Sequence, residues 1–325
     1  MKALVTVVRW IWNLALAAAL VVVVGAILLW GYAAVNVNNW ERVALDEDVQ
    51  GGGWLWIDEQ PIYYQEWGQA GAPVVVLVHG YAVEGSAMWL ANARELADAG
   101  LRVIAVDLRG FGRSARELTP NYSLRSQANT LAQVLNELYV SDATLVGHGW
   151  GAAVALQLVA EQPQFAGRLA LLAPILQDGV APLWRQIAKL PYLGPAAMWV
   201  VSSGGPVWRA NQAAAFADAE AIPRDYWDQV RPATRVEDTA EALRAMALSP
   251  ADNDLPEALA RVNMPVLALA GEMDGRVPPA RVQEITAQLG DAQLVVIAGA
   301  GHALQIEQAA QVNARIADFA LRGVR

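Results

Sequence analysis

The sequence predicts an α/β protein with a mostly parallel sheet, helices on both faces, a helical cap and one N-terminal membrane helix. Three observations support this fold class. Residues 10–40 carry no charged side chain and are mainly apolar. Apolar runs of strand length then alternate with helical patterns, which is typical of a parallel sheet covered on both faces. Only the interval 175–255 breaks this alternation, because it holds helix-like sequence without a buried strand.

The N-terminal segment 1–35 is predicted to be a single-pass transmembrane anchor. Residues 14–29 are almost purely Ala, Leu, Val and Ile, with Trp and Tyr near both ends. About 20 apolar residues cross the hydrocarbon core of a bilayer, and aromatic residues favour its interfaces. Lys2 and Arg9 precede the apolar stretch, which predicts a cytoplasmic N-terminus and an extracytoplasmic body. A cleaved signal peptide is the alternative, although its apolar core is usually only ~7–15 residues long.

The elements that follow define a core in two pieces. Residues 36–53 are predicted to be a linker ending in a flexible Gly-Gly-Gly hinge. Two antiparallel strands and then six apolar strands are predicted at 54–57, 62–67, 74–78, 103–106, 144–146, 169–172, 266–270 and 294–297. Helices are predicted at 86–99, 123–139, 152–161, 279–289 and 305–321. The predicted core therefore comprises residues 54–174 and 256–325, with an eight-stranded sheet.

Residues 175–255 are predicted to form a helical cap over the C-terminal edge of the sheet. Ligands bind at that edge in open α/β sheets. An aromatic-rich cap suits a small apolar ligand, although each aromatic side chain can equally serve only to pack the cap on the sheet. The aromatic residues considered are Trp184, Tyr192, Trp199, Trp208, Tyr226 and Trp227.

Composition excludes several classes of function. The chain has no cysteine, which excludes disulfides, thiol nucleophiles and cysteine metal sites. Its three histidines, His79, His148 and His302, follow no zinc-binding spacing. The net charge is −9 without a basic cluster, which argues against nucleic-acid binding. We therefore expect no metal, no cofactor and no nucleic-acid partner.

Five short motifs each follow a predicted strand, which places them at one edge of the predicted sheet. They are His79-Gly80-Tyr81, DLRGFGRS at 107–114, GHGWG at 147–151, GEMDGRVP at 271–278 and GAGH at 299–302. Their order and spacing resemble the α/β-hydrolase superfamily, in the branch with a helical cap. The resemblance covers residues 54–322.

The resemblance implies an α/β-hydrolase fold with a catalytic triad in the chain order nucleophile, acid, histidine. These positions are Gly149, Asp274 and His302. The resemblance makes His302 the general base and Asp274 the group that holds its tautomer. It also assigns the oxyanion hole to the backbone N–H groups of Tyr81 and Trp150.

Three further residues are expected to frame the pocket. His79 and Gly80 belong to the loop that carries one oxyanion donor, and His148 directly precedes the nucleophile position. For both histidines, a purely structural role is the alternative to a role in binding.

The chain departs from the family at the nucleophile itself. The family's elbow reads G-x-S-x-G, and relatives with His before and Trp after the nucleophile carry Ser or Asp there. Here the position is Gly149, which has no side chain to attack a substrate. Loss of the nucleophile costs on the order of 10⁶ in kcat in serine hydrolases. We therefore expect low or no covalent hydrolase activity.

Three interpretations stay open. The first is a membrane-anchored relative of ester hydrolases whose nucleophile is replaced by Gly149. The second is a non-catalytic ligand-binding pseudo-enzyme. The third is an epoxide-hydrolase-like or dehalogenase-like protein whose nucleophilic Asp is replaced, with Tyr192 and Tyr226 as candidate cap tyrosines. The first is favoured over the third. In epoxide hydrolases and dehalogenases a Pro usually follows the His-Gly pair within a few residues, whereas here the pair is followed by Tyr81-Ala82.

Overall fold

The computed structural model describes residues 2–40, 51–117, 121–176, 182–250 and 255–322. Its strands are β1 Gly52–Ile57, β2 Gln60–Trp67, β3 Val74–Val78, β4 Arg102–Val106, β5 Ala143–His148, β6 Ala166–Leu172, β7 Val266–Gly271 and β8 Ala292–Ile297. They form one eight-stranded sheet of order β1-β2-β4-β3-β5-β6-β7-β8. β2 pairs antiparallel with β1 and β4, and the other pairs are parallel. The predicted fold class is confirmed.

Thirteen α-helices lie within the described residues. They are α1 Lys2–Trp40, α2 Ala93–Asp98, α3 Leu124–Glu137, α4 Trp150–Glu161, α5 Pro182–Lys189, α6 Leu193–Ser202, α7 Pro206–Ala213, α8 Tyr226–Val230, α9 Thr239–Leu248, α10 Leu255–Ala260, α11 Pro279–Thr286, α12 Leu304–Glu307 and α13 Ala309–Leu321. In β3, Val76 and Val78 pack with α3 and α4, whereas Val75 and Leu77 pack with α2 and α13. Successive side chains of a strand point to opposite faces, so apolar residues at every position bury the strand on both sides.

The segment between β6 and β7 is helical, as the sequence predicts for its cap. Within its described part, α5 to α9 lie above the sheet edge, and short 3₁₀ helices lie in the connections from α7 to α8 and from α8 to α9. α10 packs on α4 instead and so belongs to the core. Residues 177–181 and 251–254 of the predicted cap lie outside the described residues.

The N-terminal helix is longer than the predicted anchor. α1 runs from Lys2 to Trp40, and its segment Thr6–Val35 is long and apolar enough to cross a membrane, with its most apolar part unburied. The helix continues past residue 35 because no Pro or Gly interrupts residues 36–40, and Asn and Val are only mildly unfavourable in helices.

The predicted Gly-rich hinge is instead the beginning of β1. Gly52 and Gly53 pair with Gln65 and Tyr64 of β2. A Cβ atom at Gly52 would lie 2.1 Å from the Tyr63 hydroxyl oxygen, and one at Gly53 would lie 2.7 Å from the Tyr64 ring. Glycine is required here because tyrosine rings pack against the strand, so the linker prediction of 36–53 is wrong at both ends. Residues 41–50, which include the acidic patch of the predicted linker, lie outside the described residues.

The C-terminal part of α1 packs against the cap. The Trp30 ring lies 5.0 Å from the Tyr192 ring, and the Tyr32 ring lies 5.7 Å from that of Trp199. Ala33 is buried at this contact. The N-terminal helix therefore contacts the body through the cap helix α6.

Candidate active site

The loops that carry the five motifs follow β3, β4, β5, β7 and β8, at the carboxyl edge of the sheet. Parallel strands bring their carboxyl ends to the same edge, where ligands bind in this class of sheet. Gly149, Trp150 and His302 line one cavity together with Gly80 and Tyr81. His148 lines the same cavity, so six of the eight predicted site residues meet in one place.

Asp274 and His302 form a hydrogen-bonded pair. The Nδ1–H of His302 donates to Asp274 Oδ2 over 2.9 Å, and Asp274 Oδ1 accepts the backbone N–H groups of Arg276 and Val277 at 2.7 and 2.9 Å. Burial alone would raise the pKa of Asp274, but the bonds from His302 and the two N–H groups hold it below its usual value. Asp274 is therefore a carboxylate that fixes Nδ1 of His302 as the protonated nitrogen and leaves Nε2 free to accept a proton.

Gly149 occupies a sharp turn between β5 and α4. Its φ of 54° and ψ of −118° lie outside the conformations that side-chain-bearing residues favour. The turn is held by hydrogen bonds from Gly149 N–H to the Leu172 carbonyl and from Ile175 N–H to the Gly149 carbonyl, both 2.9 Å. Gly149 therefore forms a sharp strand-to-helix turn with a positive φ, at the position where the sequence predicts a nucleophile elbow.

The space next to Gly149 points to His302. A Cβ atom built at Gly149 would lie 3.4 Å from His302 Nε2 and 3.9 Å from Ile175 Cδ1, which are van der Waals distances. A side chain at this position would thus fit, and would meet the histidine nitrogen that Asp274 leaves unprotonated. Gly149, His302 and Asp274 therefore lie in a row in the order in which the sequence predicts a nucleophile position, a base and an acid.

Tyr81 and Trp150, whose backbone N–H groups the resemblance assigns to the oxyanion hole, both line the cavity. Trp150 is the first residue of α4, so its N–H has no acceptor within the helix and lies at the positive end of the helix dipole. Tyr81 follows β3, and its ring packs edge-on against Trp150 at 5.6 Å and against Phe111 at 5.4 Å. These aromatic contacts hold the two loops side by side.

His79 fastens two loops and does not line the cavity. Its Nδ1–H donates to the Gly80 carbonyl at 2.7 Å, and its Nε2 accepts the Leu108 N–H at 3.0 Å. The ring is fully buried, and this burial lowers the pKa of His79. A neutral ring with both nitrogens engaged has a structural role, which is the alternative that the sequence left open.

His148 contacts His302 through its ring and through a hydrogen bond. Its Nε2–H donates to the His302 carbonyl at 2.9 Å, and the two rings lie 4.8 Å apart. Burial, reinforced by the nearby His302, lowers the pKa of His148 to about 3, so the ring is neutral. A Cβ atom at Gly80 would lie 3.0 Å from His148 Nδ1, so the small residue at 80 allows this ring to pack against the oxyanion loop.

The cavity between the cap and the sheet edge has a volume of about 400 Å³, within the range of small-molecule sites. Among the predicted cap aromatics, Trp184, Trp208 and Tyr226 line it. Tyr192, the other candidate cap tyrosine, packs on α1 instead. The lining residues within the described chain are mostly apolar and include no Ser, Thr, Cys or Lys. Ser86, Ser114 and Ser141 do not line this cavity.

Glu84 is a cavity residue that sequence reasoning missed. Its carboxylate is buried, and both oxygens accept from Gln212 Nε2 at 2.7 Å. It also hydrogen-bonds Tyr226. Burial raises the pKa of Glu84 to about 7. A charged residue within an apolar loop is a weak signal, and its partners lie more than 100 residues away, so no local pattern reveals the contact.

Metal ligands do not cluster in the described residues. No group of three or more His, Asp or Glu side chains there is arranged to hold a metal ion. His302 is engaged by Asp274, and His148 by the His302 backbone.

Two bacterial enzymes are similar in sequence to this chain. The chain is 31% identical over 260 residues to the dihydrolipoyllysine-residue acetyltransferase component of the acetoin cleaving system of Pseudomonas putida, covering 79% of this chain but only 65% of that protein. It is 29% identical over 271 residues to the haloalkane dehalogenase of Mycolicibacterium paratuberculosis, covering 80% of this chain and 88% of the dehalogenase.

Solved structures agree with the fold. A thermophilic esterase from Thermogutta terrifontis superposes with a TM-score of 0.65 at 25% identity, covering 80% of this chain and 93% of the esterase. An esterase from Exiguobacterium antarcticum superposes with a TM-score of 0.67 at 19% identity, covering 83% of this chain and 99% of the esterase. The sequence profile of the alpha/beta hydrolase family matches residues 75–315. The chain therefore belongs to the alpha/beta hydrolase family.

Proposed function

We propose that this protein is a membrane-anchored relative of ester hydrolases that keeps the catalytic frame but lacks the covalent nucleophile. One observation carries the proposal: a side chain at Gly149 would point to Nε2 of His302 at 3.4 Å, and that histidine is held by Asp274 at 2.9 Å. The esterases of the same fold support an ester as the substrate class. With glycine at position 149, the proposed function is ligand binding with low hydrolase activity.

The remaining groups support one slow reaction. A water molecule beside Gly149 gives a proton to His302 Nε2 while its oxygen attacks the ester carbonyl carbon. The N–H groups of Tyr81 and Trp150 stabilise the resulting oxyanion. The ester C–O bond then breaks, and the His302 proton passes to the departing alcohol, so that acid and alcohol are the products.

The expected rate of this reaction is low. Serine hydrolases without a working triad keep roughly 10³–10⁴-fold catalysis over water, from the oxyanion hole and binding. They lose on the order of 10⁶ in kcat, or about 8 kcal/mol of transition-state stabilisation. Turnover by the Gly149 form should therefore be hard to distinguish from simple ligand binding in an ordinary assay.

The experiment compares Gly149→Ser with Gly149→Ala on short p-nitrophenyl esters. Serine adds an oxygen next to His302 Nε2, so we expect a gain in kcat/KM of several orders of magnitude. Alanine introduces the same Cβ and backbone strain without a nucleophile, so it should gain nothing. A serine variant that folds and binds but stays as slow as alanine would contradict the proposal.

A dehalogenase-like or epoxide-hydrolase-like origin is the second candidate. The similarity to a haloalkane dehalogenase favours it, and Tyr226 is one cap tyrosine that lines the cavity. Gly149→Asp is the matching variant, assayed on a haloalkane and on an aryl epoxide. A gain confined to Asp on these substrates would replace the esterase proposal.

A ligand-binding role without turnover is the third candidate, supported by the mostly apolar cavity. A ligand that raises the Tm of the Gly149 form, while neither the Ser nor the Asp variant turns over any of the substrates, would favour it.

We also propose that α1 is retained as a single-pass anchor, with its N-terminus in the cytoplasm and the body outside. The length and hydropathy of Thr6–Val35 support the span. The packing of Trp30 and Tyr32 on the cap gives this helix a place in the folded protein, which a discarded signal peptide does not need.

A further inference from the structure

Helix α6 separates the N-terminal helix from the cavity. On one side, Trp199 packs against Tyr32 of α1 at 5.7 Å between ring centroids. On another side, Met198 and Val201 line the cavity. A single helix diameter, about 10 Å, therefore lies between the apolar span and the ligand space.

The contact fixes the height of the cap relative to the bilayer. Trp30 and Tyr32 follow directly after the apolar run that ends at Leu29, and a helix rises only 1.5 Å per residue. Trp and Tyr in such positions favour the level of the lipid headgroups. Tyr192 and Trp199, which touch these two rings, therefore share that level when α1 spans a membrane.

The cap exposes apolar side chains beside this contact. We call them the docking face: Leu183, Trp184, Leu190, Tyr192 and Val207, which are 38–68% exposed. They come from α5, the α5–α6 connection and α7, all within 25 residues of sequence. Several exposed apolar side chains close together in sequence are typical of a membrane or protein contact. Tyr192 touches Trp30 of the apolar helix α1, which favours lipid as the contact.

The cavity reaches the surface at the docking face. Trp184 and Val207 are exposed and also line the cavity. Asn211 and Arg276 are exposed lining residues as well, and the Arg276 guanidinium donates to the Asn211 carbonyl at 2.6 Å. The opening thus has an apolar part and a polar, cationic part.

We propose that the cap lies on the bilayer and that the cavity receives its ligand from the lipid phase. The ligand class that matches the opening is a membrane-dissolved amphiphilic ester, with its apolar chain along Trp184 and Val207 and its polar end near Arg276. This inference rests on the proposed function and on the retention of α1 as an anchor.

The first test measures the depth of nitroxide spin labels in phosphatidylcholine vesicles that hold the full chain. The chain has no cysteine, so each introduced cysteine is a unique labelling site. Leu183→Cys and Leu190→Cys report on the docking face, and Val21→Cys reports on α1. Tyr139→Cys reports on the surface of the α/β domain, where Tyr139 is 94% exposed. We expect labels at 183, 190 and 21 to collide mainly with oxygen, and the label at 139 to collide mainly with a water-soluble nickel complex.

Two other patterns of label depth would contradict the proposal, each in a different way. If the label at 21 is in lipid but those at 183 and 190 are in water, the anchor stands and the docking proposal is overturned. If the label at 21 is also in water, the proposed anchor itself fails, and the docking proposal fails with it.

The second test addresses the ligand class with the Gly149→Ser form in the same vesicles. Leu183→Glu combined with Leu190→Glu places charge on the docking face without touching the cavity lining. We expect about tenfold lower turnover of p-nitrophenyl decanoate, equivalent to ~1.4 kcal/mol, and unchanged turnover of the water-soluble acetate. Equal effects on both esters would overturn delivery from lipid. If the Gly149→Ser form hydrolyses neither ester, the proposed function fails, while the spin-label result still decides the docking proposal.

Discussion

Asp274 shows how a single residue can orient His302 for proton transfer. Its two carboxylate oxygens have different partners: one accepts from His302 and the other from two backbone N–H groups. Such a carboxylate selects the tautomer and stabilises the imidazolium that forms when the histidine takes a proton. The dyad is therefore complete as an acid–histidine unit, independent of residue 149.

The dyad can be tested in the Gly149→Ser background with Asp274→Asn. The asparagine amide would donate to Nδ1 and force the proton onto Nε2, so that His302 could no longer accept from serine. We expect kcat to fall by about 10⁴, measured by steady-state ester hydrolysis. Glu272→Gln, which changes a neighbouring carboxylate that accepts from Gly299 N–H, is the control and should keep the activity. Retention of activity within tenfold by Asp274→Asn would show that His302 is not the base.

Between elements, Glu84 joins the oxyanion loop to two cap helices. It accepts from Gln212 of α7 and hydrogen-bonds Tyr226 of α8. Its surroundings are otherwise largely apolar, which is why burial raises its pKa to about 7 from the ordinary 4.5. The attachment of the cap to the core therefore depends on pH near neutrality.

The sign of this dependence follows from proton linkage. Between pH 4.5 and 7 the folded protein holds a proton on Glu84 that the unfolded chain has lost, so the contribution to stability is full below pH 4.5 and disappears as the pH rises through 7. Each pH unit in this window costs at most about 1.4 kcal/mol.

Glu84→Gln should remove this loss, because the amide stays neutral at all pH values. We expect the variant to gain stability relative to the natural chain as the pH rises from 5 to 8, measured by urea unfolding at several pH values. Glu257→Gln, at an exposed position of α10, should show no such pH-dependent gain. A constant difference between Glu84→Gln and the natural chain across this range would contradict the raised pKa.

For the whole molecule, the proposed anchor predicts on which side of a membrane the body lies. Tyr139→Cys is exposed and far in sequence from the site. In intact cells we expect a membrane-impermeant maleimide to label it in the membrane fraction. Labelling only after lysis would reverse the proposed orientation. Recovery of a soluble body without the N-terminal helix would show a cleaved signal peptide instead.

The parts of the molecule that local sequence determines were predictable. β3, β5, β6 and β7 are apolar on both faces, and the catalytic-type residues directly follow strands, so their meeting at one edge follows from a parallel sheet. The Gly-rich segment at 51–53 was misinterpreted because glycine permits both a flexible hinge and close packing. Only the tyrosines of β2 distinguish these two uses, and they become neighbours through strand pairing.

The contacts between distant parts of the chain were not predictable in the same way. Glu84 meets Gln212, and Trp30 meets Tyr192, across more than 100 residues. No periodicity or motif encodes such pairs, since they depend on how the cap is placed on the core. The polar part of the cavity and the contact between the anchor and the cap therefore emerge only from the three-dimensional structure.

The strained turn at Gly149 has a consequence for the history of the gene. Glycine codons GGU and GGC become serine or aspartate codons through one base change each. The space beside Gly149 accommodates a Cβ atom, and the cost of such a change is the backbone strain at its positive φ. A gene with such a codon at this position stands one point mutation from either of two covalent chemistries, and natural selection can reach each of them from a protein that is already folded.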